Sequence, residues 1–226
     1  MREARHLHEE LGALRAHLLQ MGGLAEDLLR TSFEALVERS EAKADSVILG
    51  DRELDAMEME MDDACISVLA LHQPVARDLR LITMAMRISN DLERVGDHAV
   101  NIAETVQHFD VGLPLNRFPQ LEEMARITRE MLSDSLDAFV RRDSEAARAV
   151  CRRDDRVDNL HDSLFRILLT HMMEDPRRIG PAMSLILVSR NLERVADLAT
   201  NVGEDVVFLV EGHSIKHGAE GGGSVP

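Results

Sequence analysis

An acidic phrase occurs twice in this chain, and its residues are of types that bind cations. Asn-Asp-Leu-Glu-Arg-Val-Gly-Asp ends at Asp97, and Arg-Asn-Leu-Glu-Arg-Val-Ala-Asp ends at Asp197. The matching polar positions, 100 residues apart, are Glu93 and Glu193, Asp97 and Asp197, Asn101 and Asn201, and Glu104 and Glu204. The constant offset predicts a tandem duplication, so whatever chemistry the phrase supports should be present twice.

Helical geometry gathers these positions into one polar stripe in each copy. At about 100° per residue, the four polar positions of the first copy fall within an arc of about 80°. The apolar positions of the same segment fall on the other side of the helix and are Leu92, Val95, Ala99, Ile102 and Val106. The stripe is therefore predicted to face away from the core of the bundle.

The preceding helix of each half adds further carboxylates. In the first half they are Asp55, Glu58 and Asp62, and in the second half they are Asp155, Asp158 and Asp162. A helical hairpin could bring this face to the same groove as the stripe. Asp55 and Asp158 therefore join the candidate metal ligands.

Two interpretations of the acidic stripes stay open on the residues alone. Carboxylates opposite an apolar face are commonly just a solvated surface, and Arg94 or Arg194 could pair with them. Like charges at i and i+4 repel, however, and a bound cation would relieve that repulsion. Oxygen donors suit hard cations and iron. The candidate cofactor is therefore a divalent or iron-type metal ion, with Mg, Mn, Fe, Zn and Ca all left open.

No motif in the sequence points to catalysis. The chain has no Gly-x-Ser-x-Gly, Walker or dinucleotide motif. A ferritin-like di-iron site needs two inward-facing Glu-x-x-His pairs. Glu3-Ala4-Arg5-His6 matches once, and the segment from Asp158 to His161 has Asp in place of Glu. We therefore predict a protein that is not an enzyme and has no catalytic residue.

Apolar residues repeat at three- and four-residue spacing along most of the chain, which predicts an all-α fold. Aromatic residues make up only 3%, with no Trp and no Tyr, so a sheet core is unfavourable. Six long helices are predicted at about residues 7–40, 45–71, 74–108, 120–141, 144–174 and 177–212. They should form two tandem pseudo-symmetric three-helix bundles, at 1–110 and 120–212, joined by a linker at 111–119 and followed by a disordered tail at 213–226.

The charge balance excludes nucleic acid as a partner. The chain carries 41 acidic and 26 basic residues, a net charge of −15, and has no basic stripe to neutralise phosphates. No apolar run is long enough to form a transmembrane segment, so membrane contact is expected only through partners. The start of the chain leads into an amphipathic run and not a signal sequence. We expect a soluble, cytoplasmic protein.

Two segments of the chain carry a resemblance to a known family. They are Gln73-Pro74-Val75-Ala76-Arg77-Asp78-Leu79-Arg80 and Asn90-Asp91-Leu92-Glu93-Arg94-Val95-Gly96-Asp97-His98-Ala99, and the second is echoed at residues 191–197. With them, residues 7–211 resemble the PhoU family associated with bacterial phosphate transport. The resemblance implies two similar three-helix bundles. It also implies surface metal clusters at the Glu/Asp-x-x-x-Asp motifs, which are here Glu93 with Asp97 and Glu193 with Asp197.

The resemblance further implies a regulatory role without catalysis. A PhoU-like protein is expected to damp phosphate uptake and phosphate-starvation signalling, as an adaptor between the ATPase subunit of the phosphate ABC transporter and a sensor histidine kinase. A homodimer is also expected. The alternatives are a helical metal-storage or carboxylate-bridged metal protein, and a structural adaptor without metal. Gly96 and His98 become Ala196 and Leu198 in the second copy, so the two sites need not be equivalent.

Overall fold

The computed structural model describes residues 2–108 and 114–215, and it is all-α. Its helices are α1 (Arg2–Glu38), α2 (Glu41–His72), α3 (Ala76–His108), α4 (Pro119–Arg141), α5 (Ser144–Cys151), α6 (Asp154–Glu174) and α7 (Ile179–Glu211). Two short 3-10 turns, Leu115–Arg117 and Pro176–Arg178, precede α4 and α7. The predicted all-α fold is confirmed, although the fifth predicted helix is divided into α5 and α6.

Local sequence signals explain where several helices begin and end. The side chain of Ser40 accepts a hydrogen bond from the backbone N–H of Lys43 and so caps the start of α2. Asp143 caps α5 in the same way through Ala146. Gln73 ends α2 in the left-handed region, with φ of 46°, and Pro74 follows it.

Part of the predicted linker and most of the predicted tail fall outside the described residues. Of the linker at 111–119, residues 114–119 are described, and they contain the first 3-10 turn and the first residue of α4. Of the tail at 213–226, only residues 213–215 are described, and Ile215 packs against the core. The linker and the disordered tail stay predictions.

The last long helix of each half is the centre of its bundle. Helix α3 packs against α1 and α2, and α7 packs against α4, α5 and α6. The apolar stripe predicted for α3 is buried, with Leu92 and Ile102 both 0% exposed. Burial of this stripe stabilises the bundle and leaves the polar stripe to face outward.

The two halves meet where α3 crosses α7. Arg87 on α3 forms an ion pair of 2.9 Å with Asp205 on α7, whose side chain is 1% exposed. His98 Nδ1 lies 2.9 Å from Asn191 Oδ1 on the same two helices. These contacts fix the position of one acidic stripe relative to the other. In the described part of the chain, every helix is too short or too polar to cross a membrane.

Candidate functional site

Carboxylates of α2 and α3 meet in the groove between these two helices. Asp51, Asp55 and Glu58 follow one face of α2 at i, i+4 and i+7, and Glu93 and Asp97 lie one turn apart on α3. We call these five residues the first carboxylate cluster. Glu93 is partly buried and Asp97 is exposed, so the cluster lies in a shallow crease and not in the bundle interior.

Gly96 explains how Asp51 reaches α3. A Cβ built on Gly96 would overlap Asp51 Oδ1 and would lie 2.8 Å from Leu54 Cδ2. Because Gly96 has no side chain, the carboxylate of Asp51 can pack directly against the backbone of α3. The second copy has Ala196 at this position.

Asp51 and Glu93 of the first cluster have raised pKa values. Burial, and then the charges of Asp55 and Asp97, raise the pKa of Asp51 from 3.8 to about 6. Burial and the neighbouring carboxylates, with Asp97 the largest contributor among them, also raise the pKa of Glu93. Oδ1 of Asp51 is buried and has no hydrogen-bond partner. A buried carboxylate oxygen without a donor is costly, and a cation would satisfy it.

The second half repeats this arrangement on α6 and α7. Its carboxylates, which we call the second carboxylate cluster, are Asp154, Asp155, Asp158, Glu193 and Asp197. Burial, and then the charge of Asp158, raise the pKa of Asp154 from 3.8 to about 6. Burial, and then the charge of Asp197, raise the pKa of Asp158. Oδ1 of Asp154 is buried without a hydrogen-bond partner, as Oδ1 of Asp51 is.

The two clusters differ in how arginine compensates their charge. In the second cluster, Arg194 lies 3.3 Å from Asp197 and 4.0 Å from Glu193. In the first half, Arg94 instead approaches Asp91, at 3.8 Å. Within the described residues, no basic side chain pairs with a carboxylate of the first cluster. The first cluster therefore has the larger uncompensated negative charge.

The four candidate residues further along the stripes lie apart from Glu93 and Glu193. Asn101 and Glu104 line a groove with Arg190, Asn191 and Arg194 of α7. The helical rise of about 1.5 Å per residue separates Glu104 from Glu93 by about 16 Å along α3. A helical wheel ignores this axial distance, which is why the two residues appear together in projection.

Asn201 and Glu204 also have different surroundings from each other. Asn201 reaches across the crossing of α3 and α7 and lines a groove with Glu58 and Asp62 of the first half. Glu204 lies near Cys151, where burial first, and then the charge of Glu204, raise the pKa of the thiol to about 11. Of the sequence candidates, Glu93, Asp97 and Asp55 lie in the first cluster, and Glu193, Asp197 and Asp158 lie in the second.

Asp51 and Asp154 are the site residues that the sequence analysis missed. They lie one turn before Asp55 and Asp158, and each has a buried carboxylate oxygen without a hydrogen-bond partner. Their offset is 103 residues, which is also the offset of the buried pair Leu54 and Val157. Alignment of α2 with α6 by their buried apolar positions would have identified Asp51 and Asp154 as equivalent residues.

The donor atoms of both clusters suit hard cations. Carboxylate oxygens are the ligands of Mg²⁺, Ca²⁺ and Mn²⁺, and they also bind iron. The side chains do not converge on one point in this structure. Among the described residues, no group of three or more His, Cys, Asp or Glu is close enough to hold an ion. Binding would therefore require the exposed members, such as Asp97 and Asp55, to turn inward toward Asp51.

Comparison with known proteins places both halves in one family. The PhoU domain family matches residues 18–106 and 121–206. A protein of Zymomonas mobilis, named phosphate-specific transport system accessory protein PhoU homolog, is 39% identical over 94% of this chain and 90% of its own length. An Aquifex aeolicus protein of the same name is 39% identical over 93% of this chain and 96% of its own length.

Solved structures agree with this assignment. The crystal structure of PhoU from Pseudomonas aeruginosa superposes with a TM-score of 0.85 at 34% identity, and covers 91% of this chain and 99% of that one. The phosphate transport system regulatory protein PhoU from Streptococcus pneumoniae gives a TM-score of 0.86 at 27% identity, over 93% of this chain and 99% of that one. With two family matches in tandem and relatives alike over almost their whole length, this chain belongs to the PhoU family.

Proposed function

We propose that this protein is a negative regulator of phosphate uptake and of phosphate-starvation signalling. The observation that carries the proposal is the match over nearly the whole chain to proteins named for accessory roles in phosphate-specific transport. The regulator acts as a cytoplasmic adaptor between the ATPase subunit of the phosphate transporter and a sensor histidine kinase. It works by contact and not by catalysis, and it forms a homodimer.

The outer faces of the helices support a role in protein contacts. Phe165 and Leu169 on α6 are 44% and 43% exposed, and Met183 and Leu187 on α7 are 46% and 50% exposed. These apolar side chains stand on a chain with a net charge of −15. Such a surface suits partners that combine apolar contacts with basic residues, and the charge favours rapid association with them.

Metal at the two carboxylate clusters is part of the same proposal. The buried, unpartnered oxygens of Asp51 and Asp154 and the raised pKa of each residue support cation binding there. A bound divalent ion would remove the repulsion that now opposes the approach of α2 to α3 and of α6 to α7. The metal would therefore stiffen the groove of each half and set the surface that a partner meets.

A deletion strain tests the regulatory role. Cells that lack the gene should express alkaline phosphatase in high phosphate, and the wild-type gene should restore repression. A gene carrying Glu93→Gln and Asp97→Asn tests the first cluster, with Asp63→Asn, an exposed substitution elsewhere on α2, as the control. A deletion strain that keeps the phosphatase repressed, with normal phosphate uptake, would contradict the proposal. If the deletion strain keeps the phosphatase repressed but its cellular metal content changes, a metal-storage protein would be favoured.

A further inference from the structure

A cavity lined by arginine lies where four helices of both halves meet. It has a volume of about 440 Å³. Its polar lining consists of Arg15 from α1, Arg77, Asp78 and Arg80 from the start of α3, and Arg142 at the end of α4. Three apolar side chains, two of them from the end of α7, complete the wall. We call this space the arginine cavity.

Two residues at the edges of the cavity have left-handed backbone conformations. Arg142 is the C-cap of α4 and takes the left-handed conformation, with φ of 53°. Ala76, which directly precedes Arg77, is also left-handed, with φ of 47°. Such conformations cost free energy in residues other than glycine. Gly212 leaves room for Arg80, because a Cβ on this glycine would lie 2.9 Å from Arg80 Nη1.

The positive charge of the cavity is poorly compensated by the protein itself. Four guanidinium groups face one carboxylate, that of Asp78. Burial, and then the charges of Arg142 and Arg77, lower the pKa of Arg15. Nε of Arg80 is buried and has no hydrogen-bond partner. The arginine cavity thus holds repelling cations together with an unsatisfied donor.

Several arginines elsewhere on the protein are paired with carboxylates, in contrast to the arginines of this cavity. Arg30 lies 3.0 Å from Asp27 and 2.9 Å from Glu34. Arg126 lies 2.7 Å from Glu130. In the part of the chain that the structure describes, no carboxylate forms an ion pair with any of the four cavity arginines. The four guanidinium groups are gathered around one concave space, where they are available to an outside anion.

We propose that the arginine cavity binds a small anion that carries phosphate groups. Guanidinium groups donate two parallel hydrogen bonds to phosphate oxygens, and several of them around one concave site favour a multiply charged anion. The volume falls in the range of about 300 to 1,000 Å³ that small-molecule sites occupy. The site has room for more than one phosphate group, so a diphosphate should bind more tightly than orthophosphate.

The cavity also joins the two halves of the molecule. Its side chains come from α1 and α3 of the first half and from α4 and α7 of the second half. An anion bound there would hold the start of α3 against the ends of α4 and α7. It would therefore stabilise the folded chain, by an amount that grows with the logarithm of its concentration once this exceeds the dissociation constant. This proposal stands apart from the regulatory role above and can be tested on the purified protein alone.

Calorimetric titration of the purified full chain with orthophosphate, pyrophosphate and sulfate at matched ionic strength tests the proposal. We expect saturable binding of both phosphate anions, tighter for pyrophosphate. Arg77→Gln with Arg142→Gln should weaken binding by about tenfold or more, because charged hydrogen bonds are lost. Arg126→Gln with Arg166→Gln removes the same charge from exposed positions outside the cavity and should change the affinity by less than about twofold.

Two further readouts keep the test decisive. Pyrophosphate should raise the thermal unfolding midpoint of the wild type and of the Arg126 and Arg166 control, but not of the cavity variant. Without ligand, the cavity variant should be at least as stable as the wild type, because a repelling pair is gone. Absence of saturable binding to the wild type, equal losses in both double variants, or binding of acidic peptides without phosphate anions would overturn the proposal. Each of those results leaves the deletion-strain test of the regulatory role unaffected.

Discussion

Replacement of Asp51 by Asn should stabilise the metal-free protein at neutral and alkaline pH. The wild-type carboxylate of Asp51 is partly buried against α3 and is repelled by Asp55 and Asp97. Burial first, and then this repulsion, raise its pKa from 3.8 to about 6. The folded protein therefore holds this proton more tightly than the unfolded chain does. The stability that Asp51 contributes is fully present below about pH 4 and is lost as the pH rises through about 6.

The size of the effect follows from the shift. At 1.36 kcal/mol per pKa unit, the full shift corresponds to about 3 kcal/mol. Asp51 is only partly buried, and solvent screening reduces this to about 1 kcal/mol. The difference in unfolding free energy between Asp51→Asn and wild type should thus be near zero in acid and should reach about 1 kcal/mol above about pH 7.

Urea denaturation in the presence of a chelator, followed by far-ultraviolet circular dichroism, measures this difference. The chain has no Trp and no Tyr, so intrinsic fluorescence is a poor probe. Asp63→Asn, an exposed position on the same helix, is the control and should shift stability by less than about 0.5 kcal/mol at every pH. A difference for Asp51→Asn that is independent of pH, or that has the opposite sign, would refute the reasoning about the first cluster.

Two other substitutions test the packing around the clusters. Gly96→Ala should lower the free energy of unfolding by about 1–3 kcal/mol, because the new Cβ overlaps Asp51 Oδ1. Gly23→Ala is the control: its Cβ would meet open space, so the substitution should stabilise α1 by about 0.5–1 kcal/mol. Equal effects in urea denaturation would argue against close contact of α2 with α3. Arg87→Ala should cost about 1–2 kcal/mol, because the nearly buried carboxylate of Asp205 loses a half-exposed ion-pair partner that joins the halves. An unchanged denaturation midpoint would show that this pair contributes nothing.

The sequence predicted the helices well because their signals are local. Apolar spacing along each segment, the break at Pro74 and the break at Pro176 together define six helices, and the structure follows them except that the fifth is divided into α5 and α6. The interruption between α5 and α6, at Arg152 and Arg153, carries no Pro or Gly and could not be read from the pattern. Both α5 and α6 pack against α7 on either side of the interruption.

The candidate site was only partly predictable, since half of it depends on how helices meet. The stripe of Glu93 and Asp97 follows from helical periodicity on one helix. The contribution of Asp51 depends on the approach of α2 to α3, which Gly96 allows and which one helix cannot reveal. Glu104 lies at nearly the same angular position around α3 as Glu93 but about 16 Å further along the helix axis. A helical-wheel projection does not show this axial separation.

The arginine cavity shows the same limit more strongly. Its residues come from positions as distant in sequence as Arg15 and Arg142. Of its charged residues, only Arg77, Asp78 and Arg80 stand together in the chain, and on their own they look like an ordinary charged helix start. The fold alone brings the four guanidinium groups to one place.

Metal content tests the central claim most directly, that the doubled acidic phrase forms two cation sites in a PhoU-family regulator. Elemental analysis would compare wild type, purified without chelator or nickel affinity steps, with Glu93→Gln/Asp97→Asn and Glu193→Gln/Asp197→Asn. We predict bound metal in the wild type, a partial loss in each double variant, and a near-complete loss when all four changes are combined. Metal content that is the same in the wild type and in every variant would contradict the assignment of these clusters.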